Sequence, residues 1–127
     1  MSNYLLDSDI LMDFFKKKRD AVELISALIK KGNLSTSILS VVELRSGWNP
    51  KQAKIFLSRL YDTIEIKNIT IQIAELAGEF RWEYRMKGIS LPTIDTLIAS
   101  TAIVENLQLV TRNKKDYPMP ELKLYTF

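Results

Sequence analysis

The sequence has 127 residues, of which 46% are hydrophobic and 26% are charged, and its formal net charge is +3 at pH 7. A chain of this length and hydrophobic content fits one domain, which we expect to span residues 1–127 around its own core. Cysteine and histidine are both absent, which excludes disulfides, thiolate metal sites, cysteine nucleophiles and Ser-His-Asp catalysis, so any chemistry must use groups such as carboxylates or a hard metal ion.

The first half of the chain alternates apolar runs with segments of helical spacing. The apolar run at 4–6 predicts a buried strand that ends at Asp7, and Gly32 follows a basic pair as a helix stop. Ser40 begins the pattern Ser-Val-Val-Glu, which is typical of a helical capping box. The predicted elements are a strand at 4–6, helices over 10–15 and 20–31, a strand at 34–37, and a helix over 40–47.

The second half continues the same alternation. Asn49 precedes Pro50, and Thr70 precedes an apolar helical face, so both polar residues are predicted to cap helices. The predicted elements are a helix over 50–61, a strand at 64–66, helices over 70–88 and from 92, a strand at 107–111, and an edge strand at 122–125. This alternation favours an α/β fold with a helix-covered, mainly parallel sheet of about five strands.

Neither a secretory signal nor a membrane-spanning segment is predicted. The chain reaches Asp7 without a basic leading region, and no apolar run approaches the roughly 18 residues of a spanning helix. We therefore expect a cytoplasmic protein that does not associate with a membrane.

Acidic residues fall near the carboxyl ends of the predicted strands, where parallel sheets bind their ligands. Asp7 ends the first strand, and Asp116 lies a few residues beyond the strand at 107–111. Glu43 and Asp95 lie in the first turns of two predicted helices. Each acid also has a simpler explanation: a strand-end or capping role for Asp7, a capping-box role for Glu43, a helix-dipole role for Asp95 and a turn role for Asp116.

A cluster of such acids would have a chemical consequence. Two like charges about 4 Å apart repel by roughly 4 kcal/mol at an effective dielectric near 20, so the cluster would raise its own pKa values or attract a cation. Oxygen ligands without nitrogen or sulfur favour Mg²⁺ or Mn²⁺. In a chain without histidine, water activated by such an ion is the most direct route to phosphodiester hydrolysis.

Four segments match a known pattern over essentially the whole chain. They are LLDSDIL at 5–11, SVVELRSG at 40–47, LPTIDTLIASTA at 91–102 and TRNKKDY at 111–117. Their order and spacing resemble the PIN-domain family and, within it, the VapC-type toxins. The resemblance implies an α/β/α sandwich, Mg²⁺- or Mn²⁺-dependent endonuclease activity on RNA, inhibition by a cognate antitoxin and, commonly, a homodimer.

The resemblance also implies roles for individual residues. The catalytic and metal-binding quartet would be Asp7, Glu43, Asp95 and Asp116. The supporting residues that orient carboxylates or metal-bound water would be Ser8, Asp9, Thr111 and Asn113. Asp9 stands where the family often has Asn, Ser or Thr, and both a metal contact and a helix-capping role are open to it. Tyr117 stands where Phe is usual, and we expect it to keep a packing role.

Basic and aromatic residues indicate surfaces for RNA and for the antitoxin. Arg45 and Arg112 lie close in sequence to site residues and are the candidates for substrate binding. The basic run at 16–19 is interpreted as a solvated face, and the mixed stretch at 80–87 as core or dimer packing, with RNA contact as the alternative for both. The loop around 45–49, with an exposed Trp48, is our hypothesis for an antitoxin clamp.

Three other interpretations compete with a nuclease. An Asp-nucleophile phosphotransferase of the haloacid-dehalogenase kind also begins with Asp-x-Asp, but it needs Asp7 as nucleophile, a supporting lysine and usually a longer chain. A response-regulator receiver needs an Asp at the end of its third strand, where this chain has Ile66 and Lys67. A non-catalytic module that binds RNA or protein would keep only the fold. Metal-dependent cleavage that is abolished by Asp95→Asn would distinguish the enzyme from such a module.

Overall fold

Four parallel strands form the centre of the computed structural model, which describes residues 2–127. The strands are β1 (Ser2–Leu6), β2 (Gly32–Ser37), β3 (Glu65–Lys67) and β4 (Gln108–Val110). Their order in the sheet is β3-β2-β1-β4, so β1 pairs with both β2 and β4. Because all neighbouring strands pair in parallel, their carboxyl ends lie along one edge of the sheet.

Each crossover contains two helices. They are α1 (Ser8–Phe15) and α2 (Arg19–Ile29), then α3 (Ile38–Ser46) and α4 (Pro50–Thr63), then α5 (Ile71–Met86) and α6 (Thr93–Val104). The predicted caps are confirmed: Thr70 Oγ1 accepts from the Ile73 N–H at 3.2 Å, and Asn49 forms a capping box with Gln52. A short 3₁₀ helix follows β4 at Lys114–Asp116. Within residues 2–127, no helix combines the length and hydropathy needed to cross a bilayer.

Two hydrophobic cores lie on opposite faces of the sheet. Successive side chains of a strand point to opposite faces. In β1, Leu6 therefore packs with Leu44 and the other apolar residues of α1–α4, whereas Leu5 packs with Phe80 and the apolar residues of α5 and α6. The result confirms the predicted α/β fold, with helices on both sides of a parallel sheet as in an α/β/α sandwich.

The sheet has four strands, and the predicted edge strand at 122–125 is not formed. Leu124 makes only an isolated parallel bridge with Leu109. The Leu107 N–H, which would continue the pairing, instead donates to the Ala102 carbonyl at the end of α6. Pairing therefore stops after one bridge.

Helix α3 begins earlier than its sequence pattern predicts. Its N-cap is Ser37, whose Oγ accepts from the Leu39 N–H at 3.1 Å. Ser40 lies inside the helix, fully buried, and its Oγ has no hydrogen-bond partner within residues 2–127. The predicted capping box at Ser40 is therefore wrong, and Glu43 lies in the second turn of α3, where a helix-end donor does not explain it.

Candidate active site

Asp7 lies at the carboxyl end of the central strand and begins the site. Its N–H donates to the Val110 carbonyl at 3.0 Å, which extends the pairing of β1 with β4 by one residue. Its Oδ1 accepts from the Ser8 N–H at 2.8 Å, so Asp7 is also the N-cap of α1. The side chain is only 7% exposed, and a carboxylate so buried needs hydrogen bonds to offset its lost hydration.

The second oxygen of Asp7 accepts two further hydrogen bonds, which offset the lost hydration of the carboxylate. Oδ2 accepts from Thr111 Oγ1 at 2.9 Å and from the hydroxyl of Tyr117 at 3.0 Å. Thr111 follows β4 directly and is fully buried. Three donors from separate parts of the chain therefore hold the Asp7 carboxylate in one orientation.

Asp9 fixes the loop after β4 against α1. Its Oδ2 accepts from the Arg112 N–H at 3.0 Å and from Asn113 Nδ2 at 3.3 Å. Burial raises the pKa of Asp9, and the nearby charge of Asp7 raises this pKa further, while its hydrogen bonds oppose the change. The carboxylate of Asp9 thus joins two segments of the site.

Glu43 reaches the same edge from α3. Its Oε1 accepts a hydrogen bond from the Ser8 hydroxyl at 3.0 Å. Partial burial raises the pKa of Glu43, and the charges of Asp7 and Asp9 add to the increase. Glu43 therefore lies within electrostatic reach of both acids that follow β1.

Asp95 and Asp116 complete the acidic edge. Asp95 lies in the first turn of α6, and Asp116 is exposed at the end of the 3₁₀ helix. Burial raises the pKa of Asp95, and the negative charges of Asp7, Asp116 and Glu43 raise it further. No hydrogen bond within residues 2–127 opposes this increase. The negative charge of Asp95 is thus not compensated by a hydrogen bond from the described residues.

Five acids therefore form one group, called here the acidic cluster: Asp7, Asp9, Glu43, Asp95 and Asp116. None of the ion pairs formed within residues 2–127 includes a member of this cluster. Asp13 and Asp20, by contrast, are both paired with Arg112 at 2.9 Å. The acidic cluster consequently has no ion-pair partner in the described part of the chain.

The donors of the acidic cluster fit a divalent cation that keeps part of its water shell. All of them are oxygens, which Mg²⁺ and Mn²⁺ prefer. In the described part of the chain, no three acidic side chains converge closely enough to ligate one ion directly. Because Mg²⁺ usually binds one or two carboxylates and retains several waters, this spacing fits a hydrated ion better than a fully dehydrated one.

The two arginines predicted to bind substrate are engaged within the chain. Arg112 donates through Nε to Asp13 and through Nη2 to Asp20, each at 2.9 Å. Arg45 donates through Nη1 to the Trp48 carbonyl at 2.9 Å. These contacts give both side chains a structural role, and RNA binding by them stays a prediction.

Trp48 is buried, so the prediction of an exposed tryptophan in an antitoxin clamp is wrong. Only 6% of its surface is exposed. Its ring packs edge-to-face against Phe15 at 5.2 Å and against Phe56 at 5.1 Å.

The stretch at 80–87 has one buried and one exposed helical face. Phe80 is buried in the core, whereas Trp82 is 57% exposed.

Tyr117 is a site residue whose hydrogen bond is not predicted from the sequence. The expected packing role holds for its ring, which is 4% exposed within the core around Leu5. Its hydroxyl, however, contacts Asp7, and burial together with the charge of Asp7 raises the pKa of Tyr117, so the hydroxyl remains protonated. The available signal was a tyrosine at a core position, since a buried hydroxyl generally requires a partner.

Comparison with known proteins gives a consistent family assignment. A family model described as PIN domain matches residues 4–119. The chain is 33% identical over 123 residues to Ribonuclease VapC2 of Rickettsia felis, covering 90% of this chain and 89% of that protein. It is 32% identical over 117 residues to Ribonuclease VapC10 of Mycobacterium tuberculosis, covering 92% and 87%.

Solved structures show the same fold. The chain is similar to VapBC2 from Rickettsia felis bound to a DNA fragment from their promoter, with a TM-score of 0.87, 28% identity and 98% coverage of both chains. A toxin–antitoxin complex from Klebsiella pneumoniae gives a TM-score of 0.77 at 28% identity, covering 98% of this chain and 99% of that one. The similarity thus includes every segment that contributes to the acidic cluster.

Proposed function

Because the chain belongs to the PIN-domain family, we propose that it is an endoribonuclease toxin that uses Mg²⁺ or Mn²⁺ and is neutralised by a cognate antitoxin. The observation that carries the proposal is the acidic cluster, which gathers acids from several chain segments at the carboxyl edge without a basic partner. Relatives of similar length are named ribonucleases, which supports RNA as the substrate. The residues proposed to hold the cation, directly or through its bound water, are Asp7, Glu43, Asp95 and Asp116.

A bound divalent cation would supply activation of water and neutralisation of charge on the scissile phosphate. The chain's own residues prepare this site. Ser8 orients the Glu43 carboxylate, Thr111 helps to hold Asp7, and Asn113 helps to fix Asp9. Asp95 accepts no hydrogen bond within residues 2–127, which leaves its oxygens available to the cation or its water.

The phosphotransferase interpretation finds little support in the environment of Asp7. A nucleophilic carboxylate must present an oxygen to the substrate. Asp7 is 7% exposed, its Oδ2 accepts two hydrogen bonds and its Oδ1 accepts one, so a single acceptor position remains for a cation. A role in holding a cation suits this buried, fixed side chain better than covalent attack.

The activity is tested by incubating the protein with a pool of structured and unstructured RNAs in the presence of Mg²⁺, Mn²⁺ or EDTA. Wild type should cleave only with metal, and Asp95→Asn should not cleave. Glu79→Gln, which removes an exposed acid of α5, is the matched control and should retain activity. RNA binding without cleavage under every metal condition would instead favour the non-catalytic binding module.

The antitoxin has a candidate contact surface near α1 and α4. A cavity of about 410 Å³ there is lined by apolar side chains that include Phe14 and Phe56, together with two bases, Lys17 and Arg59, and one acid, Asp62. Similar chains occur in solved VapBC and toxin–antitoxin complexes. These features support binding of an apolar antitoxin segment that carries acidic residues.

Charge reversal tests this surface. Arg59→Glu should weaken the toxin–antitoxin complex, because the introduced acid would repel the acidic segment. Lys54→Glu, an exposed reversal on the same helix but outside the cavity lining, is the control. Equal affinities of the two variants would argue against this site.

Helix α5 offers a candidate contact for self-association. Trp82 and Met86 are 57% and 60% exposed and lie one turn apart on α5. We expect this apolar pair to contribute to a homodimer. Sedimentation should show a dimer for wild type and a monomer for Trp82→Lys. The same oligomeric state in both proteins would contradict a role for this pair.

A further inference from the structure

Tyr117 is a core residue with one polar atom, and that atom contacts Asp7. The ring packs in the core that also contains Leu5 and Leu109, which fixes its position. The hydroxyl donates to Asp7 Oδ2 at 3.0 Å, and both groups are buried. The donor is therefore held rigidly by the same core that supports the central strand.

The acceptor positions of Asp7 can be counted. A carboxylate oxygen offers two lone pairs for hydrogen bonds or a cation. Oδ2 accepts from Tyr117 at 3.0 Å and from Thr111 at 2.9 Å, so both of its positions are filled. Oδ1 accepts only from the Ser8 N–H at 2.8 Å among the described residues, so one of its positions remains.

We propose that Tyr117 is a positioning residue, which together with Thr111 saturates Oδ2 of Asp7 and leaves Oδ1 as the single oxygen through which Asp7 contacts a divalent cation. This inference rests on the metal-dependent function proposed above. A phenylalanine at position 117 would keep the ring packing but would free one acceptor position on Oδ2. Asp7 would then be held by two donors instead of three, and its orientation toward the cation would be less defined.

The test compares Tyr117→Phe with Tyr84→Phe. Tyr84 is the matched control, because it is also a buried tyrosine of the same core, with 8% of its surface exposed. Its hydroxyl donates to the Pro118 carbonyl at 3.2 Å and not to a carboxylate. Binding of Mn²⁺ is measured from the electron paramagnetic resonance signal of the free ion. Tyr117→Phe should raise the Mn²⁺ Kd about tenfold or more, as is typical when the support of a metal ligand is removed. Tyr84→Phe should leave the Kd unchanged.

RNA cleavage gives a second readout. Tyr117→Phe should lower kcat at limiting Mn²⁺ with little change in the KM for RNA, and added Mn²⁺ should restore kcat. An unchanged Mn²⁺ Kd in Tyr117→Phe would overturn the inference, as would an equal increase in Tyr84→Phe. Loss of the fold in Tyr117→Phe alone would assign the hydroxyl a purely structural role and would overturn it too.

Different results would refute the metal-dependent function and the role of Tyr117. Wild type that binds no Mn²⁺ at all would refute the metal-dependent function, and the role of Tyr117 with it. Wild type whose Mn²⁺ binding is lost in Asp95→Asn but is unaffected by Tyr117→Phe would refute the role of Tyr117 alone.

Discussion

The hydroxyl of Ser8 donates to Oε1 of Glu43 at 3.0 Å and thereby joins the start of α1 to the second turn of α3, 35 positions along the chain. This hydrogen bond lowers the pKa of Glu43, in opposition to the effects of burial and of the neighbouring acids. The protonation state of Glu43 therefore depends on a side chain from another crossover.

Ser8→Ala should shift the acid limb of the pH–rate profile to higher pH. Without the Ser8 donor, the pKa of Glu43 rises further, so a larger fraction of Glu43 is protonated and uncharged at a given mildly acidic pH. We expect the cleavage rate on that limb to fall about tenfold, as for other supports of metal ligands. Ser46→Ala is the control, since Ser46 donates to the backbone carbonyl of Glu43 and not to its carboxylate. Superimposable profiles of Ser8→Ala and wild type would contradict this prediction.

The metal-free protein should lose stability as pH rises through the acidic range. The pKa values of Asp9, Glu43 and Asp95 are raised above their ordinary values of 3.8, 4.5 and 3.8. Between the ordinary and the raised values the folded state binds more protons than the unfolded state, so the free energy of unfolding falls as pH increases. Above the raised values the destabilisation is complete.

Asp95→Asn isolates the part of that loss that belongs to one acid. At pH 7 in EDTA the variant should be more stable than wild type by up to about 1 kcal/mol, because the amide is not repelled by the cluster and solvent screens part of the effect. Calorimetry should show a Tm a few degrees higher. Asp62→Asn, an exposed acid of α4, should not show this increase. A lower Tm for Asp95→Asn than for wild type would mean that Asp95 is favourably paired in the folded state.

Mg²⁺ or Mn²⁺ should raise the Tm of wild type. A cation that binds only the folded state stabilises it by about 2.7 kcal/mol at a hundred times its Kd, which is roughly 10 °C for a domain of this size. The double variant Asp7→Asn/Asp95→Asn should respond far less, because its site has lost two charges. Monovalent salt at equal ionic strength separates binding from screening, and an equal rise with that salt would argue against a specific site.

The order of strands, helices and acids could be predicted because each depends on local patterns. An apolar run ending in Asp7 marks the edge of the sheet, and Thr70 marks the start of α5. The start of α3 was misplaced because Ser37 and Ser40 are both suitable caps, and the choice depends on where β2 ends. Local spacing contains no information about that boundary.

The contacts that hold the site together could not be predicted in the same way. Tyr117 and Asp7 are separated by 110 positions, and Arg112 and Asp13 by 99. These pairs form because β4 lies beside β1, which is a consequence of the whole topology. Sequence proximity to site residues made Arg112 a candidate for RNA binding, whereas the sheet directs its guanidinium to α1 and α2.

Arg112→Gln should therefore affect stability more than substrate affinity. The guanidinium connects Asp13 of α1 and Asp20 of α2 to the loop after β4, so its removal should lower the free energy of unfolding and the Tm. The KM for RNA and its dependence on salt should stay close to those of wild type. Arg19→Gln removes only an exposed pair with Glu23 within one helix, so its stability should change less. A raised KM for Arg112→Gln, with a salt slope reduced by about one phosphate contact, would instead show that Arg112 leaves these acids to bind RNA.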